Sequence, residues 1–251
     1  MLWWVSAGEG PREVVLLHGW GGAGSGHSWR QMLPHLPLDG LRVVTLDFRG
    51  HGRSPRSAGG FAVEEFGRDA LGVVEAAGLR RPVVAGFSMG AKVAQWMAAH
   101  YPERVDGLFL MAPLALGPMP LTETLLRMWL RMARTQERFA EILGAMEQPP
   151  VAPAIMRDFF QDCLAAGEDV LAGTFRMCAR DAGDDRLGEI RAPTLIVGGG
   201  NDNLMRPHLL QEKVCTRIRG ARVATLQAGH QMTLTHGAEL AALLRTFAMA
   251  V

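Results

Sequence analysis

The chain has 251 residues, 48% of them apolar, enough to build one α/β domain or two small ones and too many for a disordered chain. Its 26 basic and 25 acidic residues nearly cancel, so the net charge of +1 gives no reason to expect nucleic acid or an anionic membrane as partner. Three widely separated cysteines, Cys163, Cys178 and Cys215, contain no CxxC pair; this disfavours a disulfide framework or a zinc site and points to a reduced, cytoplasmic setting.

Taken in order, Met1 to Val5 lacks the basic start of a signal peptide and soon meets Glu9 and Glu13. Trp3 to Ser6 reads as an edge strand. Val14 to Leu17 is a buried strand that runs into His18-Gly19-Trp20-Gly21-Gly22. A glycine-rich loop at the carboxyl end of a strand is where α/β sheets bind ligands, and glycines let its N–H groups face a bound oxygen. The N–H of Trp20 is assigned as an oxyanion donor. The lysine of a phosphate loop is missing. His18 is expected to pack beneath the loop. Ser28 to Leu36 reads as a short helix and Leu41 to Leu46 as a strand. Asp47 to Ser54 reads as a tight turn in which Asp47 and Arg49 pair with nearby backbone. Val63 to Gly78 is a helix with a C-cap glycine.

The central stretch is Pro82 to Met97. Val83 to Ala85 is a strand and Ala91 to His100 a helix, joined through Gly86-Phe87-Ser88-Met89-Gly90. Such a sharp bend crowds the backbone, and glycines on either side relieve it. Ser88 at the apex projects its hydroxyl above the strand ends, while the N–H of Met89 opens the helix as a second oxyanion donor. Val105 to Met111 is the next strand. The alternation predicts a mostly parallel sheet with helices on both faces.

The alternation then stops. The longest apolar stretch, Leu108 to Leu121, is cut by Pro113, Gly117, Pro118 and Pro120 and is too broken to span a bilayer. Residues 114–185 read as a helical cap inserted in a core made of 1–113 and 186–251, with helices over Leu121 to Met146, Pro153 to Ala166 and Glu168 to Arg180. Adaptable thioethers suit an apolar substrate wall, so Met119, Met128 and Met132, with Phe87, are expected to line the pocket. Arg127, Arg131, Arg134 and Arg138 recur at helical spacing. They form a solvated face or, as the sharper alternative, a docking stripe for an acidic carrier protein.

Beyond the cap, Thr194 to Val197 is a strand that leads to Asp202. Val223 to Leu226 is the last strand and leads to His230, and Ala238 to Met249 is the closing helix. A serine needs a base to become a nucleophile at neutral pH. Of the eight histidines, His230 is best placed, just past a strand end, and Ser88, Asp202 and His230 come in the chain order of a nucleophile-elbow triad. His236, Asp184 and Asp185 are worse placed. Asn203 beside Asp202 leaves open which side chain faces the imidazole.

Five segments carry a family resemblance: His18-Gly19-Trp20-Gly21, Asp47-Phe48-Arg49-Gly50-His51-Gly52-Arg53-Ser54, Gly86-Phe87-Ser88-Met89-Gly90, Gly199 with Asp202, and Gly229-His230. Across its full length the chain resembles the α/β-hydrolase superfamily. The resemblance implies that fold and hydrolysis through an acyl-enzyme, with no cofactor and no metal. Trp3-Trp4 and Thr135-Gln136-Glu137-Arg138-Phe139 are also similar to the biotin-pathway esterases that cleave a pimeloyl-carrier-protein methyl ester, although those enzymes have Trp and Leu where this chain has Phe87 and Met89. Ser88-Met89-Gly90 is shared with carbon–carbon bond hydrolases and enol-lactonases. The expectation is a serine carboxylesterase for small to medium acyl esters. The alternatives are carbon–carbon or lactone hydrolysis, a carrier-linked methyl ester, or a slow-turnover ligand sensor.

Overall fold

The computed structural model describes residues 1–21, 25–132, 134–147, 149–180 and 182–251. Seven strands form one sheet: β1 (Trp4–Ala7), β2 (Arg12–Leu17), β3 (Leu41–Leu46), β4 (Val83–Phe87), β5 (Gly107–Met111), β6 (Thr194–Gly199) and β7 (Arg222–Leu226), in the order β1-β3-β2-β4-β5-β6-β7. Only β1 runs antiparallel, at the edge beside β3. The helices are α1 (Val63–Ala76), α2 (Met89–His100), α3 (Glu123–Met132), α4 (Gln136–Met146), α5 (Pro153–Ala166), α6 (Glu168–Ala179), α7 (Pro207–Leu210), α8 (Met232–Thr235) and α9 (Gly237–Ala250). Among the described residues, no helix is long and apolar enough to cross a membrane.

Period-two patterning sorts the strand side chains into two layers. Val15, Leu17 and Val84 point to the side where Phe66 and Val74 of α1 pack with Val93 and Met97 of α2. Val14, Leu16 and Ala85 point to the other side, against Leu240, Leu244 and Phe247 of α9 and against Trp29 and Met32. From β2 the chain moves one way to β3 and then returns to the other flank of β2 as β4. The strand order reverses there, so the crevice beyond β2 and β4 is where this sheet presents a ligand site.

Two sequence expectations fail locally. Ser28 to Leu36 is not an α-helix but two 3-10 turns, Ser25–Trp29 and Leu33–His35. Pro34 has no N–H to donate and its ring blocks a continuing α-helix. Leu121 to Met146 is two helices, because Thr135 takes an extended conformation and its side chain accepts the N–H of Arg138, capping α4. Arg127 and Arg131 therefore lie on α3, Arg134 lies in the turn and Arg138 lies in the first turn of α4. All four are exposed, but they do not share one helical face.

Packing is tight where α2 crosses β2. A Cβ on Gly90 would overlap the carbonyl oxygens of Leu17 and His18, and one on Gly86 would sit 2.6 Å from the Cα of Ala91. Gly72, on the exposed side of α1, has no atom within 4 Å of such a position. Gly90→Ala is therefore expected to lower the unfolding free energy by ~1–3 kcal/mol. Gly72→Ala is expected to raise it by ~0.5–1 kcal/mol. Urea denaturation of the two variants beside the parent protein checks the opposite signs.

Candidate active site

Ser88 closes β4 and opens α2 with φ 50° and ψ −109°, a conformation that side-chain-bearing residues rarely adopt. The fold braces it on both sides. Its N–H donates to Met111 O at 2.9 Å, and its carbonyl accepts the N–H groups of Ala91 and Lys92 at 3.1 and 3.2 Å. The bend leaves the hydroxyl above the sheet, 2.9 Å from His230 Nε2. His230 Nδ1 lies 2.8 Å from Asp202 Oδ2, and Asp202 Oδ1 accepts the N–H groups of Leu204 and Met205 at 2.8 Å each. Asp202, not Asn203, thus faces the imidazole. A carboxylate only accepts, so Nδ1 carries the ring proton and Nε2 is left to accept from the serine.

Burial alone would depress the pKa of His230. The adjacent Asp202 charge and hydrogen bond, with a smaller contribution from Glu147, reverse this and raise it above the ordinary imidazole value. Burial likewise pushes the Asp202 carboxyl up, but His230 and the two backbone donors outweigh it and hold the carboxyl below its ordinary value.

Beside the serine runs the loop that follows β2. A Cβ on Gly19 would sit 2.7 Å from the Phe87 ring and 3.5 Å from Ser88 Cβ, so the loop backbone lies against the hydroxyl-bearing turn. Neither the Trp20 N–H nor the Met89 N–H has an acceptor among the described residues; Gly22 lies outside them. His18 supports the loop from below. Its Nδ1 bonds Gly19 O at 2.8 Å and its Nε2 accepts the Phe48 N–H at 2.9 Å. Burial, with His51 nearby, lowers its pKa to about 3, so it stays neutral. Asp47 accepts the Arg53 N–H at 2.8 Å, as expected of a turn held by backbone. Arg49 instead makes a fork to the carboxylate of Asp69, at 2.6 and 2.9 Å, as well as a bond to Gly60 O.

Residues 13–154, more than half of the chain, match the alpha/beta hydrolase fold family. The chain belongs to that family. It is 29% identical to a pimeloyl-[acyl-carrier protein] methyl ester esterase of Neisseria meningitidis, over 94% of this chain and 76% of that protein. It is 27% identical to a pyrrolizixenacetamide deacetylase of Xenorhabdus hominickii, over 96% and 91%. Among solved structures, a thermophilic esterase from Thermogutta terrifontis superposes with a TM-score of 0.81 at 25% identity, over 98% of this chain and 92% of that one.

In this alpha/beta hydrolase the four helices α3 to α6 wall a cavity of about 260 Å³ that reaches Ser88 and His230. Phe87 and Met128 line it. Met119 does not: it is buried in the layer under α2, tied down by its N–H to Ala179 O where the chain crosses from sheet to cap. The Met132 side chain lies outside the described residues. Trp20, Trp129, Phe139, Phe159 and Phe175 add aromatic rings to the wall. These rings could have been sought in the sequence as the large apolar residues of the cap helices. Glu147, also in the wall, gave no periodic signal. His236 sits at the start of α9 bonded to Thr235 Oγ1, and Asp185 lies in a 3-10 turn ahead of β6. Among the described residues, no three His, Cys, Asp or Glu side chains converge as a metal site.

The opposing influences on His230 give a direct expectation. In Asp202→Asn the raising charge is gone and burial remains, so the ring should titrate below its ordinary value. NMR titration of the His230 ring in both proteins checks it; an unchanged midpoint would remove Asp202 as the cause.

Proposed function

We propose that this hydrolase cleaves small to medium carboxylic esters through an acyl-enzyme on Ser88. One observation carries the reading: the unbroken chain of hydrogen bonds from the Ser88 hydroxyl through His230 to Asp202, at the floor of an apolar cavity. His230 Nε2 takes the hydroxyl proton as Ser88 Oγ attacks the ester carbonyl. The tetrahedral oxygen anion is received by the Trp20 and Met89 N–H groups, the second aided by the positive end of α2. As the intermediate collapses, His230 returns the proton to the departing alcohol. Water then repeats the sequence on the acyl-enzyme, releasing the acid and restoring the serine. Asp202 remains ionised throughout, fixing the tautomer and stabilising the imidazolium. The cavity volume lies just below the ~300–1,000 Å³ of sites for drug-sized ligands, which favours a short to medium acyl group. The names of the Neisseria and Thermogutta relatives support ester over amide as the substrate class.

A carrier-linked ester is the second reading. Its support is the Neisseria relative together with exposed Arg127 and Arg131 on the same helix as cavity residues Met128 and Trp129. An acidic carrier docked there would deliver its arm beside the cavity. Reversing both charges should then reduce kcat/KM more for a carrier-linked methyl ester than for a free one; equal losses would overturn this reading.

For the ester reading itself, Ser88→Ala should lower kcat on p-nitrophenyl esters at least about a thousand-fold. Equal rates in both proteins would end the proposal. The base must be neutral to act, and its pKa lies above the ordinary value of about 6.5. kcat/KM should therefore fall as pH drops through a midpoint above that value, which a pH–rate profile reads directly.

A further inference from the structure

The mechanism leaves a buried carboxyl in the cavity unused. Glu147 caps the end of α4 with only 2% of its surface exposed, yet it forms part of the wall that holds Ser88 and His230. Its Oε2 accepts the N–H of Gln231, the residue after His230, at 3.0 Å. Its other oxygen takes no donor among the described residues and is absent from the fully enclosed, unpartnered polar atoms of the structure. Glu147 is itself one of the residues that line the cavity, so a ligand held there meets this carboxyl.

Much of the rest of that wall is apolar. Trp20 packs edge-on to Trp129 and Phe175, with ring centres 6.0 and 5.7 Å away, and all three line the same cavity as the carboxyl. Aromatic rings attract a cation through their quadrupole, and a buried carboxylate attracts it through charge. A neutral acyl chain would satisfy the rings but leave the carboxyl with an unmet acceptor, and an acyl chain ending in a carboxylate would be repelled. Resting on the ester reading, we propose that Glu147 is a specificity-determining residue that selects esters carrying an ammonium group on the part of the substrate held in the cavity.

The electrostatics agree with that role. Burial pushes the Glu147 carboxyl up to about 7, opposed by the Gln231 N–H and by His230 and assisted by the negative charge of Asp202. Near neutral pH the empty site thus holds this carboxyl close to half-ionised, and an entering cation would favour the charged form. Among the described residues, His230 and Asp202 are the charged groups whose fields act on it. The same Glu147 charge raises the His230 pKa, so the ligand's positive charge would offset part of that influence where the base must be neutral.

The test uses three p-nitrophenyl esters of one length: the heptanoate, the 6-hydroxyhexanoate and the 6-aminohexanoate. Wild-type protein should prefer the ammonium ester to the heptanoate by at least about tenfold in kcat/KM, the scale on which a buried polar group discriminates. Glu147→Gln keeps the shape and the acceptor oxygen but not the charge, and should bring that ratio to near unity. The ratio is independent of any general loss from the substitution. A wild-type ratio near one, an equal preference for the hydroxyl ester, or a ratio unchanged in Glu147→Gln would each overturn the proposal. If all three esters are hydrolysed in a Ser88-dependent way but at equal rates, only this inference fails. If none is hydrolysed, the ester reading fails with it. The wild-type ratios stand alone should the variant not fold.

Discussion

The backbone of one residue constrains much of this structure. Ser88 sits at φ 50°, a conformation that costs about 1–3 kcal/mol and persists only where its surroundings over-determine it. Those surroundings can be named. Gly86 lets β4 and Gly90 lets β2 approach α2 to backbone contact, the Ser88 N–H is held by the end of β5, and its carbonyl is held by the first turn of α2. The bend lies where the strand order reverses, so the loop from β2 and the loops after β6 and β7 open onto the same crevice. Strain at one position is thereby converted into a hydroxyl that stands clear of the core with two free backbone donors beside it.

Three buried histidines around this bend show how partners, not burial, decide charge. His18 and His51 are as enclosed as His230, and burial lowers their pKa values to about 3 and 4. Each bonds only backbone groups and no carboxylate, and they face each other with ring centres 5.1 Å apart. His230 has a carboxylate, and the same burial is overcome. The imidazoles beneath the loop after β2 are thus kept neutral near neutral pH. The one imidazole that reaches the serine is the one free to change charge.

The parts of the site that local chemistry dictates were legible in the sequence, and the parts that depend on how the cap folds over it were not. Strand runs such as Leu41 to Leu46, the glycines around Ser88 and the strand-end positions of Asp202 and His230 follow from rules that act within a few residues. The choice between Asp202 and Asn203 needed the Leu204 and Met205 N–H groups, whose orientation only the folded loop fixes. The arginine spacing looked continuous because a periodicity count ignores a single capping threonine; Thr135 breaks the helix and scatters the four side chains. Met119 resembled Met128 as a residue type, yet one lies in the core and the other in the cavity, because the segment between β5 and α3 packs Met119 into the layer that α2 shares. Glu147 could not be read at all, since a glutamate at a helix end is ordinarily solvated.

The sheet and the α3 to α6 layer are joined by a buried cation on α2, the helix that Ser88 opens. Lys92, one turn past Ser88, is fully enclosed, and its Nζ donates to Gly117 O at 3.1 Å, Cys178 O at 3.1 Å and Arg180 O at 2.5 Å. Gly117 belongs to the segment by which the chain leaves the sheet for the cap, and Cys178 and Arg180 belong to the segment by which it returns. Hydrogen bonds from a charged donor are worth about 1.5–3 kcal/mol each, and a buried ammonium stripped of them would be strongly unfavourable. Both ends of the segment that carries α3 to α6 are therefore tied to the helix that begins at Ser88. Trp20 adds a tie from the loop after β2, its indole N–H donating to Leu171 O of α6. The aromatic rings and the Glu147 carboxyl thus hang from anchors on the elements that carry Ser88, so a layer of short helices can hold its side chains in register with that hydroxyl.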